Sequence, residues 1–202
     1  MASVTSRIFA ITGGASGIGA ATCRLLAARG ASVLCVADIS DKHFHELEQN
    51  IKAINSTTTL ACTMVDVTSS KDVEQWISSI IALYGDLHGA ANIAGVAQEA
   101  EARTSPTILE ERDDEWHKIL QVNLDGVFFC TRAQVRAMKS GNIMDRSIVN
   151  IGSIVAFQHL PDTYAYGTSK AALAYLTTCV ASDTFQFGIR MNTVSPGWSP
   201  LF

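Results

Sequence analysis

Charged residues are scarce in this sequence. Asp, Glu, Lys and Arg together make up 17% of the 202 residues, the formal net charge is -4, and no basic run occurs along the chain. Binding to nucleic acid or to an anionic membrane surface needs clustered positive charge. The sequence therefore argues against nucleic-acid and membrane partners.

Metal-ligand spacing is absent as well. The five cysteines show no CxxC spacing, and most lie inside apolar runs, which is typical of buried, reduced thiols in a cytosolic protein. His43 and His45 are two residues apart on a predicted helix, where their side chains cannot share a face. We therefore expect no metal site.

Long hydrophobic runs are missing too, although hydrophobic residues make up 48% of the chain. No run approaches the length of a membrane span. The polar residues 1–7 show neither the apolar core of a signal peptide nor the Arg-rich pattern of a transit peptide. The expected location is the cytoplasm.

The hydrophobic residues are spread over short runs that alternate with amphipathic stretches. The runs predict strands at 8–12, 31–37, 59–65, 87–93, 147–151 and 189–194, and helices at 18–29, 41–55, 69–84, 115–139 and 163–187. This alternation is typical of a Rossmann-like, doubly wound α/β fold, with six parallel strands and helices on both faces. The length predicts a single domain over residues 1–202.

Glycines and polar residues gather where these strands end, which is where such sheets bind ligands. They are Gly13, Asp38, Asp66, Gly95, Ser153 and Gly197. The long polar connection 96–114 also follows a strand, and connections of this length are often functional.

A glycine-rich turn, Thr12-Gly-Gly-Ala-Ser-Gly-Ile-Gly19, joins the first strand to the first helix. Glycines let the backbone approach a pyrophosphate, whose charge the helix N-terminus stabilises. A structural strand-to-helix turn is the alternative interpretation. Asp38 ends the second strand, where an acid binds ribose hydroxyls and repels the additional phosphate of NADP. Neither Ile39 nor Ser16 is basic, so NAD is preferred over NADP, although Asp38 could also cap the next helix.

Tyr166 and Lys170 are four residues apart on a predicted helix and so share one face. A nearby ammonium lowers the pKa of a phenol, which makes the pair a candidate general acid/base for an alcohol or a carbonyl. Tyr164 has no lysine four residues on, and we expect it to line the pocket or to pack.

Together these motifs resemble the single-domain short-chain dehydrogenase/reductases from Arg7 to about Gly197. The matching motifs are the glycine loop, Asp66-Val67, Asn92-Ile-Ala-Gly95, Asn123, Ser153, Tyr166 with Lys170, and Pro196-Gly197. One position departs, because Ile93 stands where the family usually has a second asparagine. The resemblance implies an NAD(P)-dependent oxidoreductase that interconverts a secondary alcohol and a ketone.

The resemblance also implies the roles of individual residues. The implied catalytic residues are Asn123, Ser153, Tyr166 and Lys170. The implied cofactor-binding residues are Gly13, Ser16, Gly17, Ile18, Gly19, Asp38, Asp66, Val67, Asn92, Gly95, Tyr166, Lys170, Pro196 and Gly197. Tyr166 would be the general acid/base, Lys170 would lower its pKa and bind the nicotinamide ribose, and Ser153 would bind the substrate oxygen. Asn123 would hold, through its backbone, a water that links Lys170 to solvent.

The sequence ends at Phe202, before the substrate-covering segment and the seventh strand of that family. We therefore expect an exposed edge at the sixth strand and a pocket without its lid. A truncated dinucleotide-binding pseudo-enzyme and a redox-neutral enzyme are the alternative functions. Phe157, Leu160 and Trp198 suggest a bulky apolar alcohol or ketone, such as a product of secondary metabolism. The pattern leaves open a homodimer through the helices at 115–139 and 163–187.

Overall fold

The computed structural model describes residues 4–98, 103–140 and 145–197, and in these ranges strands and helices alternate as the apolar runs predict. The strands are β1 (Ile8–Thr12), β2 (Val33–Asp38), β3 (Thr59–Met64), β4 (Gly89–Asn92), β5 (Arg146–Ile151) and β6 (Ile189–Val194). The helices are α1 (Gly17–Ala28), α2 (Phe44–Ile54), α3 (Ser70–Tyr84), α4 (Asp113–Leu120), α5 (Gly126–Lys139) and α6 (Tyr164–Thr184).

The strands form one parallel sheet in the order β3-β2-β1-β4-β5-β6. The chain first builds outward from β1 to β3 and then crosses back to place β4 on the other side of β1. The strand order therefore reverses between β1 and β4, and this reversal opens a crevice at the carboxyl ends of the two strands. The Rossmann-like fold class predicted from the sequence is confirmed.

Each face of the sheet carries its own apolar cluster. On one face, Leu47 and Ile51 of α2 and Cys23 of α1 pack over β1 and β2. On the other face, Trp76 and Ile77 of α3 pack with residues of α5, β1 and β5. Because both faces are covered, β2 is apolar almost throughout, and its residues from Val33 to Ala37 are buried.

Local signals in the sequence explain where the helices begin and end. The Ser69 hydroxyl accepts a hydrogen bond from the Asp72 N–H at 3.2 Å and caps α3. Gly85 then ends α3 in the left-handed region, with φ of 80°. These ends fix the short connections that deliver β4 to the centre of the sheet.

The predicted long helix at 115–139 is the main departure from expectation. It is divided by a π-helical turn, Gln121–Asp125, in which the Gly126 N–H bonds the Gln121 carbonyl five residues back. Residues 113–125 contain neither Gly nor Pro, so the sequence shows no break in the helix at this point. Such turns frequently occur at functional sites, and this one carries Asn123.

None of the helices in the described ranges combines the length and the apolar character that a membrane span requires.

Candidate active site

The ends of β1 and β4 nearly touch at the crevice. Gly13 follows β1 with a φ of 62°, which other residues rarely adopt. A Cβ at this position would lie 2.7 Å from the Ala94 backbone nitrogen. Only glycine therefore allows the two strand ends to lie this close.

The rest of the glycine loop leads into α1 and leaves its backbone accessible. Gly17 has a φ of 47°, and no described atom lies within 4 Å of its Cβ position. Ser16, Gly17 and Ile18 are exposed, while Gly19 is buried against the loop. The first turn of α1 has no acidic residue and receives no side-chain cap from Ser16. The loop and helix N-terminus therefore fit the phosphates of a dinucleotide.

Gly19 and Gly17 need glycine for different reasons, which gives a matched pair of substitutions. A Cβ at Gly19 would lie 2.0 Å from the Gly13 carbonyl oxygen, so Gly19→Ala should lower the free energy of unfolding by about 3 kcal/mol. Gly17→Ala should lower the free energy of unfolding by only about 1 kcal/mol, which is the cost of a positive φ for alanine. Urea unfolding of both variants checks this order, and equal losses would show that the contact at Gly19 does not constrain the loop.

Asp38 ends β2 beside this loop. Its Oδ2 atom accepts a hydrogen bond from the Ala15 N–H at 3.2 Å, so the carboxylate lies against the glycine loop. The following residue, Ile39, is exposed and supplies no positive charge. The structure therefore brings Asp38 and the loop together, as the sequence predicts.

Asp66 and Val67 follow β3, and the side chains of both make contacts with nearby residues of the chain. The Asp66 Oδ1 atom accepts hydrogen bonds from the N–H and the hydroxyl of Thr68, at 2.9 and 2.7 Å. Val67 is buried and packs closely on Gly126, where an added Cβ would lie 2.9 Å from Val67 Cγ2. Val67 therefore helps to place α5 as well as lying at the strand end.

Asn92 is held in a buried network of amides below the crevice. Its Nδ2 donates to Gln134 Oε1 at 3.0 Å and to Asn150 Oδ1 at 2.9 Å, and its Oδ1 accepts from Gln134 Nε2 at 2.8 Å. All three side chains are buried. The Asn92 carboxamide therefore joins β4, β5 and α5, and a contact between Asn92 and the cofactor stays a prediction.

Gly95, Asn123 and Lys170 meet at the end of β4. A Cβ at Gly95 would lie 3.1 Å from Asn123 Oδ1 and 3.6 Å from Lys170 Nζ. The Asn123 side chain binds both backbone groups of Val96, at 2.8 and 2.9 Å, and donates to Ser169 Oγ at 3.2 Å. The π-helical turn thus fastens the segment after β4 to α6.

Lys170 is almost completely buried, with 5% of its surface exposed. Its Nζ donates to the Ile151 carbonyl oxygen at 2.9 Å and lies 5.6 Å from the centre of the Tyr166 ring. Burial lowers the pKa of Lys170 from 10.5 to about 8. The end of β5 thereby holds a cation beside the phenol, as the spacing of Tyr166 and Lys170 predicts.

Ser153 follows β5 and begins a short 3₁₀ turn, Ile154–Ala156. Its buried hydroxyl oxygen accepts a long hydrogen bond from the Val155 N–H at 3.4 Å, which leaves the hydroxyl hydrogen able to donate. The Pro196 carbonyl accepts from the Ile154 N–H at 3.0 Å, so the turn after β6 lies against the same segment. Gly197 follows Pro196, and Trp198 lies outside the described residues.

Family models and known proteins give an independent comparison for this arrangement. The model of the short chain dehydrogenases matches residues 7–199. The chain belongs to this family. It is therefore an oxidoreductase of the class that acts on CH–OH groups, and members of the family bind NAD(P).

Two relatives of this short-chain dehydrogenase carry a more specific description. A chanoclavine-I dehydrogenase of Penicillium roqueforti is 68% identical over 197 residues, which are 98% of this chain and 76% of the relative. A chanoclavine-I dehydrogenase of Aspergillus fumigatus is 65% identical with the same coverage. Among solved structures, NAD+-bound xylitol dehydrogenase is similar with a TM-score of 0.88 and 28% identity, covering 98% of this chain and 72% of the other.

Several contacts near this dehydrogenase site are not predicted by the sequence motifs. The Tyr164 hydroxyl group forms a hydrogen bond with Thr107 Oγ1, at 3.0 Å. Gln98, Arg103 and Glu111 form a network above α6 that the sequence did not indicate. The only available signal was the length and polarity of the connection 96–114, which points to function without naming partners.

Proposed function

We propose that this short-chain dehydrogenase oxidises an alcohol to the corresponding carbonyl compound, with NAD as hydride acceptor and Tyr166 as general base. The observation that carries the proposal is the burial of the Lys170 ammonium beside the Tyr166 ring. A positive charge held beside the Tyr166 ring stabilises negative charge that develops on the phenol oxygen. Tyr166 would then take the hydroxyl proton of the alcohol in the transition state.

The proposed dinucleotide site follows the carboxyl edge of the sheet. The glycine loop and the start of α1 would hold the pyrophosphate, and Asp38 would accept hydrogen bonds from the adenosine ribose. Asp66 and Val67 would border the adenine, with Gly95, Pro196 and Gly197 nearer the nicotinamide. When bound, the nicotinamide supplies the hydride acceptor. The open space around Gly17 at the start of α1 supports this path.

The residues of the chain would divide the remaining work. Tyr166 would take the hydroxyl proton as the carbon–hydrogen bond of the alcohol breaks and the carbonyl forms. Ser153 would donate to the substrate oxygen, using the hydroxyl hydrogen that its own turn leaves unused. Lys170 would stabilise the charge that develops on the Tyr166 oxygen and bind the nicotinamide ribose. Asn123 would hold the segment after β4 in place and position a water near Lys170.

Chanoclavine-I is the first substrate to test, because two relatives that are 65 and 68% identical carry that name. A role in secondary metabolism fits such a substrate. Phe157 and Leu160 are exposed apolar side chains beyond Ser153, and they would suit a bulky apolar alcohol.

A turnover assay tests this proposal. Native protein is mixed with NAD and either chanoclavine-I or a panel of other alcohols, and nicotinamide absorbance is followed. We expect reduction of NAD that depends on the alcohol and falls strongly in Ser153→Ala. Tight binding of NADH without turnover of any alcohol would favour the alternative, a dinucleotide-binding protein that does not catalyse.

Cofactor choice gives a separate prediction at Asp38. We expect NADH to bind more tightly than NADPH, because the carboxylate repels the additional phosphate. Asp38→Ser should shift the ratio of the two dissociation constants toward NADPH by about 100-fold. Fluorescence titration with both cofactors measures the ratio, and Asp41→Ser removes an exposed carboxylate nearby as a control. Tighter NADPH binding by the unaltered chain would refute the role of Asp38.

A further inference from the structure

The first turn of α6 receives no hydrogen bond from the side chain of its N-cap residue. Thr163 occupies the N-cap position, but its hydroxyl group donates to the Leu160 carbonyl at 2.8 Å and caps nothing in the helix. The first amides of a helix need partners from outside it. One of them, the N–H of Tyr166, points to Gln98 Oε1 at 3.5 Å. The connection after β4 therefore supplies a partner for the backbone of Tyr166.

The orientation of the Gln98 amide does not depend on that long contact alone. Gln98 Nε2 donates to both carboxylate oxygens of Glu111, at 2.9 and 2.7 Å. A planar amide whose nitrogen faces Glu111 must direct its oxygen elsewhere. In this structure the oxygen faces the Tyr166 N–H.

Glu111 is itself fixed by a buried cation. Arg103 donates to Glu111 Oε2 at 2.6 Å and to Glu115 Oε2 of α4 at 3.4 Å. The exposed fractions of the Arg103 and Glu111 side chains are 3 and 8%. Charge-assisted hydrogen bonds in so dry a place are short and geometrically restrictive. Arg103 thus anchors the Gln98–Glu111 pair to α4.

A second contact joins the same connection to α6. The Thr107 hydroxyl group bonds the Tyr164 hydroxyl group at 3.0 Å, on the turn that carries Tyr166. Loss of Gln98 would therefore leave the connection attached while removing the contact nearest to Tyr166.

We propose that Gln98 is a positioning residue for the reaction, which holds the first turn of α6 so that the Tyr166 phenol meets the substrate hydroxyl group. Glu111 and Arg103 fix the orientation of the Gln98 amide. This inference rests on the proposed role of Tyr166 as general base. Small displacements of a catalytic group lower rates up to about 100-fold without abolishing binding, because the reacting atoms must lie within a narrow range.

The first test compares Gln98→Leu with Gln49→Leu, which alters an exposed glutamine on α2 whose contact is with His45. We expect Gln98→Leu to lower kcat/KM for the alcohol about tenfold. NADH should still bind one per chain with unchanged affinity, and the control should match the native protein. A primary isotope effect with the carbinol-deuterated alcohol should rise in Gln98→Leu, since hydride transfer becomes slower. A loss of folded protein alone would lower the rate without changing that isotope effect.

An exchange of the two side chains gives an independent test. Gln98→Glu places two carboxylates against each other, and Glu111→Gln leaves one amide oxygen to accept from both Gln98 and Arg103. Each single change should lower kcat/KM about tenfold or more. The double variant Gln98→Glu, Glu111→Gln restores one amide and one carboxylate. A carboxylate at position 98 can accept from both the Tyr166 N–H and the amide at position 111, so activity should return to within about threefold of native.

Two results would overturn the inference: native kcat/KM in Gln98→Leu, or no recovery in the double variant. Should Gln98→Leu fail to fold, the exchange series decides by itself. Failure of the proposed function is recognised separately, either as no alcohol-dependent reduction of NAD by the native protein or as native turnover in Tyr166→Phe, and neither result involves the Gln98 variants.

Discussion

Replacement of Tyr166 by Phe should lower kcat about 1,000-fold, because it removes the only atom proposed to take the substrate proton. The ring remains, and its packing above Lys170 at 5.6 Å does not need the hydroxyl group. Binding of NADH should therefore stay within about twofold of native, since the glycine loop and Asp38 are the main residues proposed to position the cofactor. Stopped-flow or steady-state turnover, paired with fluorescence titration of NADH, measures both quantities.

Tyr164 provides the matched control for this substitution. It lies on the same turn of α6, and Tyr164→Phe removes its hydrogen bond to Thr107 without touching the proposed proton acceptor. We expect turnover of this variant to stay within about tenfold of native, because one hydrogen bond contributes about 1 kcal/mol. Equal losses in the two variants, or native turnover in Tyr166→Phe, would be incompatible with Tyr166 as the base.

Replacement of Lys170 by Met should abolish most turnover and yet stabilise the fold near neutral pH. The side chains have similar length, and Met carries no charge to bury. Burial lowers the pKa of Lys170 from 10.5 to about 8, which corresponds to about 3 kcal/mol of unfavourable charging in the folded state. Loss of the hydrogen bond to the Ile151 carbonyl offsets about 1 kcal/mol of this gain.

The pH dependence of that stability difference has a definite sign. Because the folded state depresses the pKa, the penalty is fully present below about pH 8. It declines as the pH rises from about 8 towards 10.5, where Lys170 becomes neutral in both states. Lys170→Met should therefore exceed the native free energy of unfolding by about 2 kcal/mol at neutral pH and by less at high pH.

Chemical denaturation at several pH values measures this difference. Lys52→Met, which alters an exposed lysine of α2, serves as control and should change stability by less than about 0.5 kcal/mol. A destabilised Lys170→Met at neutral pH would show that the buried ammonium supports the fold instead of being maintained for catalysis.

The sequence predicted the centre of the sheet well because β1, β2 and β4 are mostly buried on both faces. In β2, residues from Val33 to Ala37 are buried, and such a strand can only be a continuous apolar run. The carboxyl-end residues were predictable for a related reason, since all parallel strands deliver their ends to one edge. Gly13 and Gly19 were recognisable because close backbone contacts permit no other residue at those places.

Hydrogen bonds between side chains that are far apart in the sequence could not be predicted from the sequence pattern. Asn92 belongs to a motif at the cofactor edge, but its carboxamide turns inward because Gln134 and Asn150 offer buried partners from other elements. The π-helical turn at Asn123 leaves no mark on the spacing of apolar residues. The link from Gln98 to Tyr166 joins residues far apart in the chain and depends on how the connection 96–114 folds.

The central claim is direct hydride transfer from an alcohol at this site, and isotope transfer tests it most directly. The protein is incubated with NAD and chanoclavine-I that carries deuterium in place of every hydrogen on the carbinol carbon. The deuterium content of the recovered NADH is then measured by mass spectrometry. The account predicts that each carbonyl product is matched by one NADH that carries one deuterium, and that Tyr166→Phe forms both about 1,000-fold more slowly. Unlabelled NADH, or recovery of both cofactor and alcohol unchanged, would contradict it.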